Sequence, residues 1–468
     1  MNTPGNGTAS SAGTRDGGLT GRVLVAGFAV ALAAWCAAFI AHIPWLDLSA
    51  SVTGPVVMGA WVVAAIMVGR SESVADRLKI GLCSGIATAA ICLLILGSAL
   101  VEQSTNNQPA PGTSGLRPSA FIFIPAFLAL GAVIGSIGSF VGARLRAHQP
   151  ARATANARGW LSRFSIITAA AILALLVLGG AVTSTQSGMA IRGWPGSDTA
   201  NMFLYPLSLM ADPQRFLEHS HRLFGTFVGL CSIVLFLGTL SRSGPGGASR
   251  RVAALTLILL AAVIAQGAVG GLRVIENDAL KGLFHGIGGQ LIFALAVSIA
   301  AMLSPSWAAA APPAPHPAAG RLRKLTTALA LCMIVQLSLG AAYRHLAAVS
   351  KGATHALYTH AAFAFVVITL AMIAGATMSK PDQPPILRRI GKSLIHTVGV
   401  QFLLGLVSLW AVMVSPTRGA PPPEPGGGPI RTPAIEAILT TSHQAVGAVL
   451  FALVALAWVW SRRLHARR

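Results

Sequence analysis

His285-Gly-Ile-Gly-Gly-Gln-Leu-Ile-Phe-Ala-Leu295 and His443-Gln-Ala-Val-Gly-Ala-Val-Leu-Phe-Ala-Leu453 read as one motif written twice. Each opens on a histidine and runs into an apolar stretch that carries no charge. A second motif also recurs: Gln266-Gly-Ala-Val-Gly270, Gln336-Leu-Ser-Leu-Gly340 and Gln401-Phe-Leu-Leu-Gly405, with Leu-Leu-Val-Leu-Gly179 standing in the same place once more. A Gln and a Gly four apart share a helix face, where the glycine permits close approach and the amide can bond across helices. The two motifs alternate along the chain. Residues 160–468 therefore read as a tandem duplication, two four-helix halves at 164–303 and 325–461, related by an axis along the membrane normal and joined by a cytoplasmic linker at 304–324.

Composition extends this reading to the whole chain. It is 54% apolar and 10% charged over 468 residues, with mean hydropathy +0.69. A water-soluble surface needs more charge, so the chain belongs in lipid. Twelve segments reach or approach the roughly 20 apolar residues of a membrane span: 23–43, 54–69, 80–101, 119–142, 164–184, 220–241, 252–272, 283–303, 325–343, 353–378, 394–414 and 440–461. The expected fold class is an all-α polytopic membrane protein of about 12 transmembrane helices. Its last eight form two pseudo-symmetric four-helix bundles.

The charge of +21 sits in the loops between these runs. With the amino terminus inside, the inner loops hold most of the 34 Lys and Arg, including five arginines between 143 and 163. This alternation predicts twelve spans with both termini cytoplasmic. It also argues against nucleic acid as a partner, which would need the cations gathered on one folded face. Residues 1–21 are polar and Gly-rich and read as a disordered tail. A four-helix membrane extension follows at 22–142, and a cytoplasmic linker rich in Ala and Arg at 143–163. The apolar run after Arg22 is long enough to anchor and is not read as a cleaved signal. All five cysteines fall in apolar runs and read as small packing residues.

The histidines carry the chemistry. His221, His285, His360 and His443 lie near the outer ends of the four descending helices of the duplicated region. A single membrane histidine is ordinarily a packing residue; four at one depth are harder to explain that way, because ionisable groups are rare in lipid. Neutral imidazole binds iron through one nitrogen, and two helices can present axial ligands to opposite faces of a haem. A zinc site would want three or four converging ligands, which this spacing does not offer. The duplication predicts one pair per half, His221 with His285 and His360 with His443. His355 is an alternative to His360. His345 reads either as a contact for a haem propionate or as a solvated loop residue. Glu218 lies one turn outward from His221 on the same face; an exposed acid at a helix amino terminus is the plainer reading. The second half has Leu357 in its place, which predicts two unequal sites, one worked upon and one not.

The run Gly179 to Gly188, Trp194-Pro195, Asn201-Met-Phe-Leu-Tyr-Pro206 and Glu218-His-Ser-His221-Arg222 resembles the heme A synthase family. So do Gly-Gly-Leu-Arg273 with His285, and Leu-Gly340-Ala-Ala-Tyr-Arg-His345. The resemblance covers about 160–465 and the family's eight helices. It implies oxidation of the C8 methyl of haem O, the substrate, to the formyl group of haem A for terminal oxidases. His221 and His285 would bracket the substrate haem, His360 and His443 would hold a permanent haem b, and Glu218 would be the catalytic acid. Arg222, Arg273 and Arg344 are candidates for pairing with haem propionates. The implied setting is a bacterial cytoplasmic membrane, with haem O synthase and an electron acceptor as partners. The outer loop 185–219 lacks the cysteine pair of some relatives, and residues 22–142 lie outside the family core.

Two other readings compete. A dihaem b-type electron carrier or quinol oxidoreductase, without haem-modifying activity, would leave Glu218 structural. A transporter with histidine proton relays would explain the repeat but not the single depth, and broken mid-membrane helices are not evident.

Overall fold

The computed structural model describes residues 18–43, 46, 48–70, 76–101, 116–147, 159–198, 200–241, 249–347, 350, 352–417 and 426–466. Most of the expected tail and the middle of the 143–163 linker lie outside them. Thirteen α-helices and no strand occur among the described residues. They are α1 (Gly18–Ala41), α2 (Ala50–Gly69), α3 (Arg77–Leu96), α4 (Ala120–Ala147), α5 (Trp160–Ser184), α6 (Pro213–Ser241), α7 (Arg250–Glu276), α8 (Ala279–Met302), the short α9 (Pro305–Ala308), α10 (Ala319–Leu346), α11 (Ala353–Met378), α12 (Pro385–Val414) and α13 (Ala434–Leu464). All but α9 are long and apolar enough to cross a membrane, where only a helix or a closed barrel satisfies its own backbone. The protein is a multi-pass membrane protein.

Helices α5 to α8 form a closed ring in which each packs on the next and α5 meets α8; α10 to α13 repeat the arrangement. The rings join where α5 and α8 face α13 and α10. Exchanging the halves maps the α5–α13 contact onto α10–α8, as a two-fold axis between the bundles requires. Tight caps set the connections. Asp278 accepts from Leu280 N at 2.7 Å and Lys281 N at 3.3 Å to start α8, and Asn277 ends α7 in the left-handed region at φ +48°. The α7 to α8 link is therefore a two-residue turn. The end of the molecule holding this turn and the α5–α6 loop is called the distal end below.

The four leading helices share a core with the first bundle. Phe28 packs on Phe164 and Phe227, Trp35 on Phe224 and Phe227, and Phe39 stacks on Phe216. Trp35 is 1% exposed. This aromatic seam docks α1 against α5 and α6. Within the extension, α3 and α4 close on each other through Gly81, Gly85, Gly131 and Gly135, whose missing side chains let backbone touch backbone. All five cysteines are free.

Candidate functional site

The recurrent glycines explain where the histidines sit. A side chain at Gly179 would meet the His221 ring at 3.0 Å, one at Gly270 the His285 ring at 2.8 Å, one at Gly340 the His360 ring at 2.9 Å, and one at Gly405 the His443 ring at 3.1 Å. Each glycine is thus the seat of the imidazole on the next helix. His285 Nδ1 donates to the Gln266 carbonyl at 3.1 Å and His360 Nδ1 to the Gln336 carbonyl at 2.9 Å. His221 and His443 face the equivalent carbonyls of Leu175 and Gln401 without a well-formed bond. Donation through Nδ1 leaves the lone pair on Nε2, the arrangement that prepares a histidine to ligate; at His360 and His443 that nitrogen lies 3.4 Å from the amide nitrogens of Gln336 and Gln401.

The four rings meet in two pairs. His221 and His285 stand with centroids 6.2 Å apart and planes at 79°; His360 and His443 also stand 6.2 Å apart, at 82°. Both pairs bridge a bundle diagonally, α6 to α8 and α11 to α13. Two metal–imidazole bonds of about 2.0 Å and two ring half-widths of about 1.1 Å come to roughly 6.2 Å, so each pair has the separation that two imidazoles sharing one metal would need. Among the described residues no group of three or more His, Cys, Asp or Glu could hold a metal ion. A bare ion held by protein alone is therefore disfavoured, whereas a metal that brings its own equatorial ring needs only the two. His355 is exposed, and His360 is the ring that faces His443.

The surroundings of the pairs differ. Glu218, 3% exposed, accepts from Arg222 at 2.6 and 3.2 Å through one oxygen and from Ile191 N at 2.9 Å through the other. Arg222 also donates to the carbonyls of Gly193, Gly196 and Ile191, each at 3.0 Å. A guanidinium has five N–H donors, and all five are occupied. In this structure Arg222 clamps the α5–α6 loop over α6. Arg344 donates to the Thr183 carbonyl at 2.8 Å and spans the two bundles. Arg273 lies against Gly188 and Gly282 near Glu218. At the positions matching Glu218, Arg222 and Arg273, the second half carries Leu357, Ala361 and Ser408.

Several participants have no sequence signal. Ile191, Gly193 and Gly196 contribute only backbone atoms. Tyr205 donates to Asp198 at 2.8 Å, stacks on His219 at 4.9 Å and receives Arg215 at 3.2 Å. Burial and the Asp198 carboxylate push its phenol upward from the ordinary value. Arg215 reaches the Gly426 carbonyl at 2.7 Å and Gln214 that of Pro429 at 3.3 Å, so the segment before α13 is tied across the first bundle.

Searches of curated proteins and of solved structures return no match to this chain. A family model does match, over residues 162–358. That stretch is less than half of the chain; it contains Glu218, His221 and His285 and stops two residues before His360. The second histidine pair is placed by the internal repeat alone. From near the start of α5 into α11, the chain is similar to the family described as cytochrome oxidase assembly protein.

Proposed function

We propose that the protein is a heme A synthase, oxidising the C8 methyl of haem O to a formyl group, with haem O held between His221 and His285 and haem b between His360 and His443. One observation carries the reading. Two histidine pairs of equal separation lie in duplicated bundles, yet Glu218, Arg222 and Arg273 beside the first pair are matched by Leu357, Ala361 and Ser408 beside the second. A haem iron supplies the redox chemistry when bound. The chain's own residues orient it: the carbonyls behind His285 and His360 fix the ligating nitrogen, and the glycine seats fix ring depth. Glu218, held by Arg222 and Ile191 N, presents a fixed negative charge one turn from His221, where it would stabilise positive charge developing at the methyl carbon. The setting proposed is a bacterial cytoplasmic membrane with both termini inside. Haem O synthase would deliver the substrate, and an electron acceptor would take electrons relayed through haem b.

The saturation of Glu218 favours a second reading, a dihaem b-type carrier in which this acid only anchors the loop. Deletion followed by haem extraction separates the two. A synthase predicts loss of haem A with accumulation of haem O, reproduced by His221→Ala and by Glu218→Ala. Unchanged haem A in Glu218→Ala, in a protein that still binds haem b, would favour the carrier.

A further inference from the structure

His345 ends α10 in the second bundle, yet its ring lies on the first. A side chain at Gly282 of α8 would meet His345 Nδ1 at 2.9 Å and Arg273 Nε at 3.0 Å, and one at Gly286 would meet His345 Nε2 at 3.2 Å. The imidazole therefore lies along the helical turn that contains His285, and Arg273 shares its glycine seat. Arg215, Arg222 and Arg344 all donate to backbone carbonyls. The side chains of Arg273 and His345 make no hydrogen bond among the described residues. Glu218 attracts Arg273 across the site but gives its hydrogen bonds to Arg222 and Ile191.

The duplication shows that this notch is particular to the first site. His345 stands five residues after Gly340, as Ser184 does after Gly179; Gly282 stands three before His285, as Thr440 does before His443; Arg273 stands three after Gly270, as Ser408 does after Gly405. In the second half these groups satisfy one another or the backbone: Thr440 bonds Ser184 at 2.8 Å and Ser408 bonds the Leu439 carbonyl at 3.0 Å. Only the first site replaces two hydroxyls by a guanidinium and an imidazole over a glycine.

We infer that Arg273 and His345 form a carboxylate receptor, built from both bundles, that holds an acid side chain of the tetrapyrrole at the first histidine pair. The inference rests on the haem reading above. It fixes the orientation of the ligand, with its acid edge at the distal end beneath α10. It also makes the second bundle part of the first binding site.

The test is a titration of the full-length protein carrying His360→Ala, so that only the first pair binds, with ferric protohaem and with its dimethyl ester, followed at the Soret band. The free acid should bind about 10–100-fold more tightly than the ester, the range of one charge-assisted hydrogen bond. His345→Ala and Arg273→Ala should each abolish most of that preference while leaving ester affinity unchanged, and His345→Gln, which keeps a donor, should retain it. If His345→Ala proves misfolded by gel filtration, Gly282→Ala supplies the second route, displacing both nitrogens with the same selective loss. Equal weakening of acid and ester, or no change in either, would overturn the receptor while leaving the haem reading intact. Failure of either haem to bind unless His221 and His285 are present would support the shared site. Failure to bind at all would overturn the haem reading itself.

Discussion

Replacing Arg222 by Met removes five hydrogen-bond donors at once and leaves Glu218 as a buried carboxylate with Ile191 N alone. The pair is deep, at 8% and 4% side-chain exposure, and close, at 2.6 Å. Removing one partner of a buried ion pair costs about 3–5 kcal/mol, mostly because the survivor is left uncompensated. Glu218→Gln should cost less, about 1–3 kcal/mol, since the amide still accepts from Ile191 N and Arg222. The double substitution should fall short of the sum by about 2 kcal/mol, because the stranded charge is absent from it. Equilibrium unfolding in mixed micelles titrated with dodecyl sulfate, read by tryptophan fluorescence, measures all three. Trp194, 41% exposed in the clamped loop, serves as the local reporter. A loss below about 1 kcal/mol for Arg222→Met, or strict additivity, would refute the clamp. If stability held while haem affinity fell, Arg222 would be a propionate partner after all.

Two further outcomes follow from local geometry. Gly340→Ala would place a methyl carbon 2.9 Å from the His360 ring, so the spectral signature of bis-histidine haem at the second site should be lost while the first site keeps its own. Gly267→Ala, on α7 of the first bundle and facing open space, should leave both spectra unchanged and gain up to about 1 kcal/mol of helix propensity. At the α7–α8 turn, the Lys281 ammonium and the Leu280 N–H hold the Asp278 carboxyl below the usual carboxylate range. A depressed carboxyl stabilises the fold above its unfolded value, and that contribution disappears as pH falls through the folded value. Melting curves of wild type and Asp278→Ala should therefore differ at neutral pH and converge in acid; a constant difference across pH would refute the assignment.

The parts of this architecture that recur in register were legible in the sequence, and the parts made by irregular backbone were not. Apolar runs of span length located twelve helices. The Gln and Gly signature marked the faces on which helices approach, and four histidines at one depth implied pairs. What the signature could not convey is that each glycine faces the following helix's imidazole, because that depends on how far neighbouring helices are rotated. Arg222 looked available to a ligand for a related reason: its acceptors are three carbonyls of the α5–α6 loop, and a carbonyl leaves no mark on residue identity. The sequence leaves His345 as either a ligand contact or a loop residue, since only the docking of one bundle on the other brings α10 to α8. Nor could the aromatic seam be foreseen, because Phe28, Trp35 and Phe39 look like any lipid-facing residues until α1 has a partner.

The comparison of the halves has a mechanistic consequence. Two bundles that hold their histidines 6.2 Å apart by the same glycine and carbonyl device would bind the same iron with the same ligands. Any difference in what the sites do must then come from groups outside the ligand set. Those groups are concentrated on one side: Glu218, Arg222, Arg273 and His345 against Leu357, Ala361, Ser408 and Ser184. A leucine and an alanine, with hydroxyls bonded to their neighbours, suit a haem that only exchanges electrons and stays put. A shell with a fixed carboxylate near the ring and unspent donors at its edge suits a ligand that must be oriented, altered and released. The division of labour thus resides in the residues by which the duplicated halves differ, while the shared ones determine only that each half can hold a metal.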